Sequence, residues 1–214
     1  MTGEVVATEL SAVEDAPGAE SCPRRGPGRP RSEEAERAIL DAALDLLASS
    51  GVSGLSIEAV AAHACVAKTT VYRRWSSKTE LVLAALAQMK GPIVQPPGES
   101  VREDLLYMAR YACRSWRETP EAEIFARLVA EAKQHPEIGE QYWQRIIKPR
   151  REVTHGVLRR GIEEGLIRPD ADLELITEML IAPVVMGRLH GGGRMSDGQV
   201  EQLVDAVLAG WAPR

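Results

Sequence analysis

The sequence contains few cysteines, and they are far apart. Cys22, Cys65 and Cys113 form no CxxC pair and no Cys/His pair with the spacing of zinc ligands. This pattern excludes a cysteine-based zinc site and offers no disulfide framework. We therefore predict free thiols in a reducing compartment.

Long apolar runs are also missing. No window approaches the roughly 20 apolar residues that a membrane-spanning helix requires. Glu4, Glu9, Glu14 and Asp15 interrupt the N-terminus, where a signal peptide would be basic and then apolar. We therefore predict a cytoplasmic protein that makes no contact with a membrane.

The sequence patterns of common enzyme classes are absent as well. The histidines His63, His135, His155 and His190 are scattered. The chain contains no HExxH motif, no Ser or Cys nucleophile elbow and no phosphate-binding loop. We predict no enzymatic activity, no cofactor and no bound metal.

Helical periodicity runs through most of the sequence. Ser32 is a good N-cap for a first helix, which Gly51 should end. Between them, apolar residues recur at helical spacing, and no stretch of the chain predicts a strand. The predicted fold class is therefore all-α. Further helix starts are predicted by the capping-box pairs Ser77/Glu80, Ser100/Glu103 and Ser196/Gln199.

Prolines and glycines divide the chain. We interpret residues 1–31 as a disordered tail with a basic arm, 32–90 as a helix-turn-helix domain and 91–214 as a second helical domain. A long helix is expected from about Glu137 to Glu164, with a kink at Pro149. The helix from Asp172 to His190 should bend at Pro183.

Positive charge is concentrated in one part of an acidic chain. The net charge is -5, yet residues 24–90 hold ten Lys/Arg against seven Asp/Glu. From Lys68 to Lys78 the charged residues are all basic. A short helix that presents Lys, Arg, Thr and Tyr on one face is suited to a DNA groove, whereas an isolated basic helix is equally compatible with a solvated surface.

A second basic segment precedes the first helix. Its sequence RRGPGRPR, residues 24–31, includes Gly28-Arg29-Pro30, which resembles an AT-hook. Arg29 and Arg31 could therefore contact the minor groove of A·T-rich DNA. A flexible linker that adds only non-specific attraction to phosphates explains the same residues equally well.

The stretch AKTTVYRRWSSK, residues 67–78, resembles the DNA-binding domain of the tetracycline-repressor family of transcriptional regulators. The resemblance extends from Ser32 to about Met89. A weaker one, in residues 142–151 and 166–172, is to a C-terminal domain type of that family. Two residues depart from the pattern, because the family usually has glycine where this chain has Cys65 and Thr69. Backbone strain is expected at Cys65, and the operator sequence cannot be carried over.

The resemblance gives each residue of this stretch a role. Val71 and Trp75 should face inward, four residues apart. Tyr72 and Lys78 match positions that contact phosphates. The side chains expected to face the major groove are Ala67, Lys68, Thr69, Thr70 and Arg73, with Ser56 at the start of the preceding helix.

The resemblance also implies a C-terminal domain that binds a small molecule and forms a homodimer. The last two helices would build the dimer interface, and a twofold dimer would read a palindrome. Expected ligand-binding residues are aromatic, Met and His side chains, although such side chains at helical spacing usually form core. They are Tyr107, Met108, Tyr111, Trp116, Phe125, Tyr142, Trp143, His155, Met179, Met186 and His190.

These patterns together predict a homodimeric regulator of transcription that binds a palindromic operator on double-stranded DNA. We expect a repressor that a small-molecule effector releases from DNA. A transcriptional activator, and a ligand-independent or architectural DNA-binding protein of the same fold, remain open. A protein-binding helical scaffold would instead bind DNA weakly and with little dependence on salt.

Overall fold

The computed structural model describes residues 31–115, 121–189 and 195–213. Within these ranges the chain forms helices and no strand, which confirms the predicted all-α class. In chain order the helices are α1 (Arg31–Gly54), α2 (Ile57–His63), α3 (Lys68–Tyr72), α4 (Lys78–Lys90), α5 (Val101–Ser115), α6 (Glu121–Glu131), α7 (Pro136–Tyr142), α8 (Lys148–Glu163), α9 (Leu173–Leu189) and α10 (Asp197–Gly210). A π-helical turn, Trp143–Ile147, joins α7 to α8.

Local signals in the sequence set several of the helix ends. Gly51 interrupts α1 with a left-handed φ of 69° and a ψ of -171°, at the residue where the sequence predicts its end. The hydroxyl of Ser56 accepts a hydrogen bond from Ala59 N at 3.1 Å and caps α2. The predicted capping box of Ser196 and Gln199 is complete at the start of α10.

Helices α1 to α4, which we call the head, enclose an apolar core. Ile39, Leu47, Val60 and Leu86 are among its fully or almost fully buried side chains. The same core includes Ile124 of α6, Ile138 of α7 and Ile146 of the π turn. The head is therefore packed directly onto the later helices, which we call the body, and a domain boundary near residue 90 stays a prediction.

A second core joins α5, α8, α9 and α10. Its buried side chains include Leu105, Leu158, Ile176 and Val204. On the surface above it, Arg102 Nε donates to Asp205 Oδ1 at 2.6 Å and ties α5 to α10. The Arg102 side chain holds the pKa of the Asp205 carboxyl below its usual range.

Asp104 anchors the segment between head and body. It is fully buried, accepts Gly98 N at 2.9 Å and pairs with Arg160 of α8 at 2.6 Å. A buried carboxylate needs such partners because its desolvation is costly. The pair therefore fixes the connecting segment onto α5 and α8.

The long helix expected from Glu137 to Glu164 is not regular. The chain passes from α7 through the π turn into α8, and Pro149 lies in the first turn of α8. Proline has no N–H and its ring crowds the preceding turn, so the irregularity stands just before it. Helix α9 continues through Pro183, and a bend there stays a prediction.

Hydrogen bonds join the end of α1 to the last residue of α6 and to the segment that follows it. We call this group the junction latch; it consists of Ser53, Glu131, Gln134 and His135. The Glu131 carboxylate accepts Ser53 N at 2.9 Å, and Ser53 Oγ lies 3.1 Å from His135 Nε2. Ser53 Oγ also lies 3.3 Å from Gln134 Oε1. These bonds link the head to the body beside the kink at Gly51.

Among the described helices, none is long and apolar enough to cross a membrane.

The kink at Gly51 gives a testable prediction. Gly51→Ala should destabilise the protein by about 1–2 kcal/mol, because an L-residue is strained at positive φ. A Cβ at residue 51 would also lie 2.1 Å from the Glu131 carboxylate, which must move away. Urea denaturation of the purified protein measures the change.

Gly156→Ala is the matched control. Gly156 lies within α8, and a Cβ there would meet no atom within 4 Å. Alanine should therefore stabilise that helix by about 0.5–1 kcal/mol. Equal effects of the two substitutions would contradict the role given to the Gly51 kink.

Candidate nucleic-acid interface

The turn between α2 and α3 places the two helices of the helix-turn-helix. Val66 N donates to Ala61 O at 2.9 Å and closes the turn. Cys65 has a φ of 53°, and no other non-glycine among the described residues has a positive φ. The strain expected where the family pattern has glycine is therefore confirmed.

Of the three cysteines predicted to be free thiols, Cys22 lies outside the described residues. Cys113 is a free cysteine, as expected.

The recognition helix α3 is held by two side chains that face inward. Val71 is fully buried and Trp75, just beyond the helix, is 8% exposed. This confirms the orientation predicted from their spacing. The opposite face is accessible, with Ala67, Lys68, Thr69 and Arg73 exposed and Thr70 half-buried.

The structure separates the two adjacent arginines at the end of α3. Arg73 is exposed, whereas the Arg74 side chain is only 14% exposed. Arg74 lies 3.6 Å from the Glu36 carboxylate of α1 and donates to Thr70 O at 3.4 Å. Arg74 thus braces α3 against α1, and Arg73 is the arginine that can reach outward.

Lys68 forms an ion pair on the exposed surface. Its Nζ lies 3.2 Å from a carboxylate oxygen of Glu58 in α2. The pKa of Glu58 is lowered, first by a hydrogen bond from its own backbone N–H and then by Lys68. This contact was not predicted from the sequence, because the two residues lie in different helices.

The start of α4 is also closely fixed. Ser77 Oγ accepts Glu80 N at 3.1 Å, as the capping pattern predicts. The Glu80 carboxylate does not complete the box at Ser77, and instead accepts Ser76 N and Ser76 Oγ at 2.8 and 2.7 Å. The Ser76 hydroxyl and then its N–H lower the pKa of Glu80. Lys78 is half-buried at the first position of the helix.

Tyr72, the last residue of α3, is 51% exposed. Ser56 is exposed at the start of α2, with its hydroxyl engaged as the N-cap. Arg31 is the first residue of α1 and its side chain lies outside the described residues, as does Arg29 altogether. DNA contact by any of these residues stays a prediction.

The residues expected to bind a ligand are distributed over several surfaces. Tyr107 and Trp143 are 37% and 39% exposed, and Met179 and Met186 are 42% and 43% exposed. The half-buried members are Met108, Tyr111, Phe125, Tyr142 and His155, whereas Trp116 and His190 lie outside the described residues.

Two of these residues belong to an ionic cluster between α8 and α9. Arg151 is buried, pairs with Glu174 and Glu178, and lies over the Trp143 ring at 4.7 Å from its centroid. His155 Nε2 is 3.3 Å from Glu174. The cluster joins the two helices, and a ligand-binding role of Trp143 or His155 stays a prediction.

An apolar cavity of about 150 Å³, which we call the junction cavity, lies beside the junction latch. It brings together Phe125 and Tyr142 from the expected ligand residues. Its other members were not predicted from the sequence. Val52 is distant along the chain, and the rest lie between Phe125 and Tyr142 without a pattern that marks a cavity. Its lining residues are Val52, Phe125, Leu128, Val129, Glu131, Ala132, His135, Ile138, Gly139 and Tyr142.

No group of three His, Cys, Asp or Glu side chains in the described part of the chain is arranged to hold a metal ion.

Two protein-family models match the chain. Residues 39–85 match "Bacterial regulatory proteins, tetR family", and residues 95–207 match "Tetracyclin repressor-like, C-terminal domain". The two matches cover the helix-turn-helix and most of the body. Together they account for the greater part of the sequence.

Known proteins are similar over most of their length. The "DNA-binding transcriptional repressor TetR" of Mycobacteroides abscessus is 30% identical over 182 residues, covering 83% of this chain and 94% of that protein. The uncharacterized regulator YdeS of Bacillus subtilis is 28% identical over 185 residues, covering 86% and 92%. The crystal structure of the TetR-family regulator SCO0332 superimposes with a TM-score of 0.59 at 30% identity, covering 84% of this chain and all of that one.

The orientation of α3 gives a prediction for two adjacent residues. Val71→Ala should cost about 2 kcal/mol of unfolding free energy, because Val71 is fully buried. Tyr72→Ala should change it by no more than about 0.5 kcal/mol, because half of that side chain is in solvent. Chemical denaturation of the two variants compares them, and a larger loss for Tyr72→Ala would reverse the assignment of faces.

Proposed function

Since the chain belongs to the tetracycline-repressor family of bacterial transcriptional regulators, we propose that it is a homodimeric repressor released from a palindromic operator by a small molecule. Its relatives are regulators of transcription, and so is this chain, which is not an enzyme. The observation that carries the proposal is the orientation of α3. Its apolar side chains are buried, and its basic and hydroxyl side chains are exposed.

In this proposal α3 enters the major groove. Lys68 and Arg73 can donate to the N7 and O6 acceptors of guanine, and the methyl group of an exposed threonine such as Thr69 can contact thymine. Tyr72 and Lys78 dock on phosphates and set the register of α3 along the duplex. Arg74 is given no base contact in this proposal, because its side chain braces α3 against Glu36.

Lys68 must leave Glu58 when it contacts DNA. The ion pair is exposed on both sides, so its loss costs little. Glu58 nevertheless places a negative charge close to the duplex, which opposes non-specific attraction to phosphates. This charge favours binding where Lys68 gains a well-placed acceptor on a base.

The dimer is supported by an apolar face on α9. Leu175, Met179 and Met186 project at helical spacing, and each is more than 40% exposed. An apolar stripe of this kind on a surface helix is suited to a symmetric interface with a second copy. A twofold dimer would place the two α3 helices in successive major grooves, about 34 Å apart.

Repression is the direction that the relatives favour, because the similar Mycobacteroides abscessus protein is named a DNA-binding transcriptional repressor. Release requires a ligand that binds better to a state in which the spacing of the recognition helices no longer fits the operator. Helix α4 would connect DNA binding to ligand binding, because it contacts both the recognition helix and the body. Ser77 caps its start next to α3. At its end, the Gly91 carbonyl accepts a hydrogen bond from Arg150 of α8.

The proposal is tested by selecting binding sites from random duplex DNA and measuring affinity over a range of salt concentrations. A palindromic consensus and a steep salt dependence are expected, since several phosphates are neutralised in the complex. Weak binding that hardly changes with salt would instead favour a protein-binding scaffold.

Substitutions on the exposed face of α3 and at the start of α4 should distinguish phosphate contacts from base contacts. Tyr72→Ala and Lys78→Ala should weaken binding to all duplexes alike, because phosphates carry no sequence information. Arg73→Ala should also relax the preference at one base pair in each half-site, at a cost of about 1–3 kcal/mol. Fluorescence anisotropy with the selected site and its single-base variants measures both effects.

Glu58→Gln is a control for which DNA affinity should change in the opposite direction. It removes a negative charge near the duplex and releases Lys68, so affinity for random DNA should rise. If Arg73→Ala changed neither affinity nor base preference, the placement of α3 in the groove would be wrong.

The proposed dimer face gives a further prediction. Met179→Glu should shift the protein towards monomer, because it places a charge in the centre of an apolar interface. Leu166→Glu, at another exposed apolar residue outside α9, should leave the dimer intact. Sedimentation velocity distinguishes monomer from dimer for both variants. If Met179→Glu remained dimeric, the interface would not be the apolar face of α9.

A further inference from the structure

We propose that the junction cavity binds a small, uncharged, single-ring aromatic molecule, and that this occupant is an effector of the regulator. The binding site follows from the cavity alone. Its regulatory consequence rests on the function proposed above. The inference goes beyond that function by assigning a location and a chemical class to the ligand.

The size of the cavity sets the size of the ligand. Its volume is about 150 Å³. A closed apolar protein cavity of about that volume takes up benzene. The junction cavity offers similar room, although it is partly open to solvent beside Val129, Ala132 and Gly139. Benzene and toluene therefore fit this space, whereas a multi-ring molecule requires the lining to move.

The lining sets the polarity of the ligand. Leu128, Ile138 and Phe125 contribute apolar surface, and the accessible lining of the cavity is almost entirely apolar. The two ionisable lining residues are engaged elsewhere, since Glu131 and His135 hydrogen-bond to Ser53 in the junction latch. A charged ligand would lose part of its hydration without gaining a partner, so the cavity favours an uncharged one.

The position of the cavity allows its occupant to influence how the head packs against the body. Val52, which is 1% exposed and lies immediately after the Gly51 kink, contributes to the lining from the head. The other lining residues come from α6, α7 and the segment between them. A molecule in the cavity therefore contacts both sides of the junction, and its affinity depends on how they are arranged.

Ligand affinity depends on the arrangement of head and body, and the bound ligand in turn shifts that arrangement. If operator binding requires one arrangement of head and body, a ligand that prefers another arrangement weakens operator binding by its differential affinity. The junction latch uses hydrogen bonds that are exposed to water. Such bonds stabilise only modestly, so a small ligand can compete with them.

Isothermal titration calorimetry of the full chain with toluene tests the binding site. We expect saturable binding with one site per chain. Gly139→Leu should weaken it by roughly tenfold or more, because several methylene groups then occupy the cavity. Gly139 lines the cavity, and a Cβ there meets no atom within 4 Å, so the added side chain has room.

Gly198→Leu is the matched control. Gly198 also lies in a helix with no atom within 4 Å of an added Cβ, but it belongs to α10 and not to the cavity. Toluene should bind this variant as it binds the unmodified protein. Leu128→Ala supplies a second test, because an enlarged cavity should bind naphthalene more tightly than the unmodified protein does.

Operator affinity is measured on the same preparations, with and without toluene. A fall in affinity that disappears in Gly139→Leu supports the whole proposal. Failure of toluene to bind, or equal binding by Gly139→Leu, overturns the assignment and leaves the DNA-binding function intact. Binding through the cavity with unchanged operator affinity overturns the effector role. Absence of any specific DNA binding refutes the proposed function, whereas the toluene measurement still decides the site.

Discussion

Burial of body side chains in the core of the head is the constraint on which the rest of this structure depends. Ile124, Ile138 and Ile146 lie at 0–3% exposure among the side chains of α1 to α4. Removing that much apolar surface from water stabilises the contact by several kcal/mol, at about 25 cal/mol per Å². The head is therefore not a freely tethered module, and its orientation is set by how α6 and α7 pack against it.

That constraint explains why polar contacts gather at the same place. The kink at Gly51 turns the end of α1 towards α6, and Glu131 then reaches Ser53 N. On the other side, Arg150 holds the end of α4 at Gly91. The apolar contact supplies most of the stability, while the directional bonds select one geometry, since a hydrogen bond depends on angle and distance.

Much of the head could be predicted from the sequence, because its signals are local. Ser56 and Ser77 cap their helices, Gly51 breaks α1, and the spacing of Val71 and Trp75 gives the buried face of α3. Each of these depends on residues within four positions of one another. Even here, the local rule failed where a competing donor was available, since Glu80 bonds to Ser76 rather than to Ser77.

The body was less predictable, because its sites depend on residues that meet only in three dimensions. The pattern selected Trp143 and His155 as ligand residues, and the structure places Trp143 against Arg151 and His155 against Glu174, in the cluster that joins α8 to α9. An aromatic or histidine side chain on a helix has the same sequence signal in a core, an ionic cluster or a cavity. The junction cavity needed Val52 next to Leu128 and Gly139, and no periodicity links those positions.

The size of a regulatory response is limited by what so small a cavity can supply. A ligand present at about 100 times its dissociation constant stabilises the state that binds it by about 2.7 kcal/mol, provided that the other state does not bind it at all. Since about 1.4 kcal/mol is a factor of ten, one site could weaken operator binding by about a hundredfold. A twofold dimer carries two such sites, and the effects add if head and body move together on both sides. Under this proposal, a ligand of benzene size releases the operator only to the extent that its binding free energy depends on the orientation of the head, which contributes Val52 to the lining.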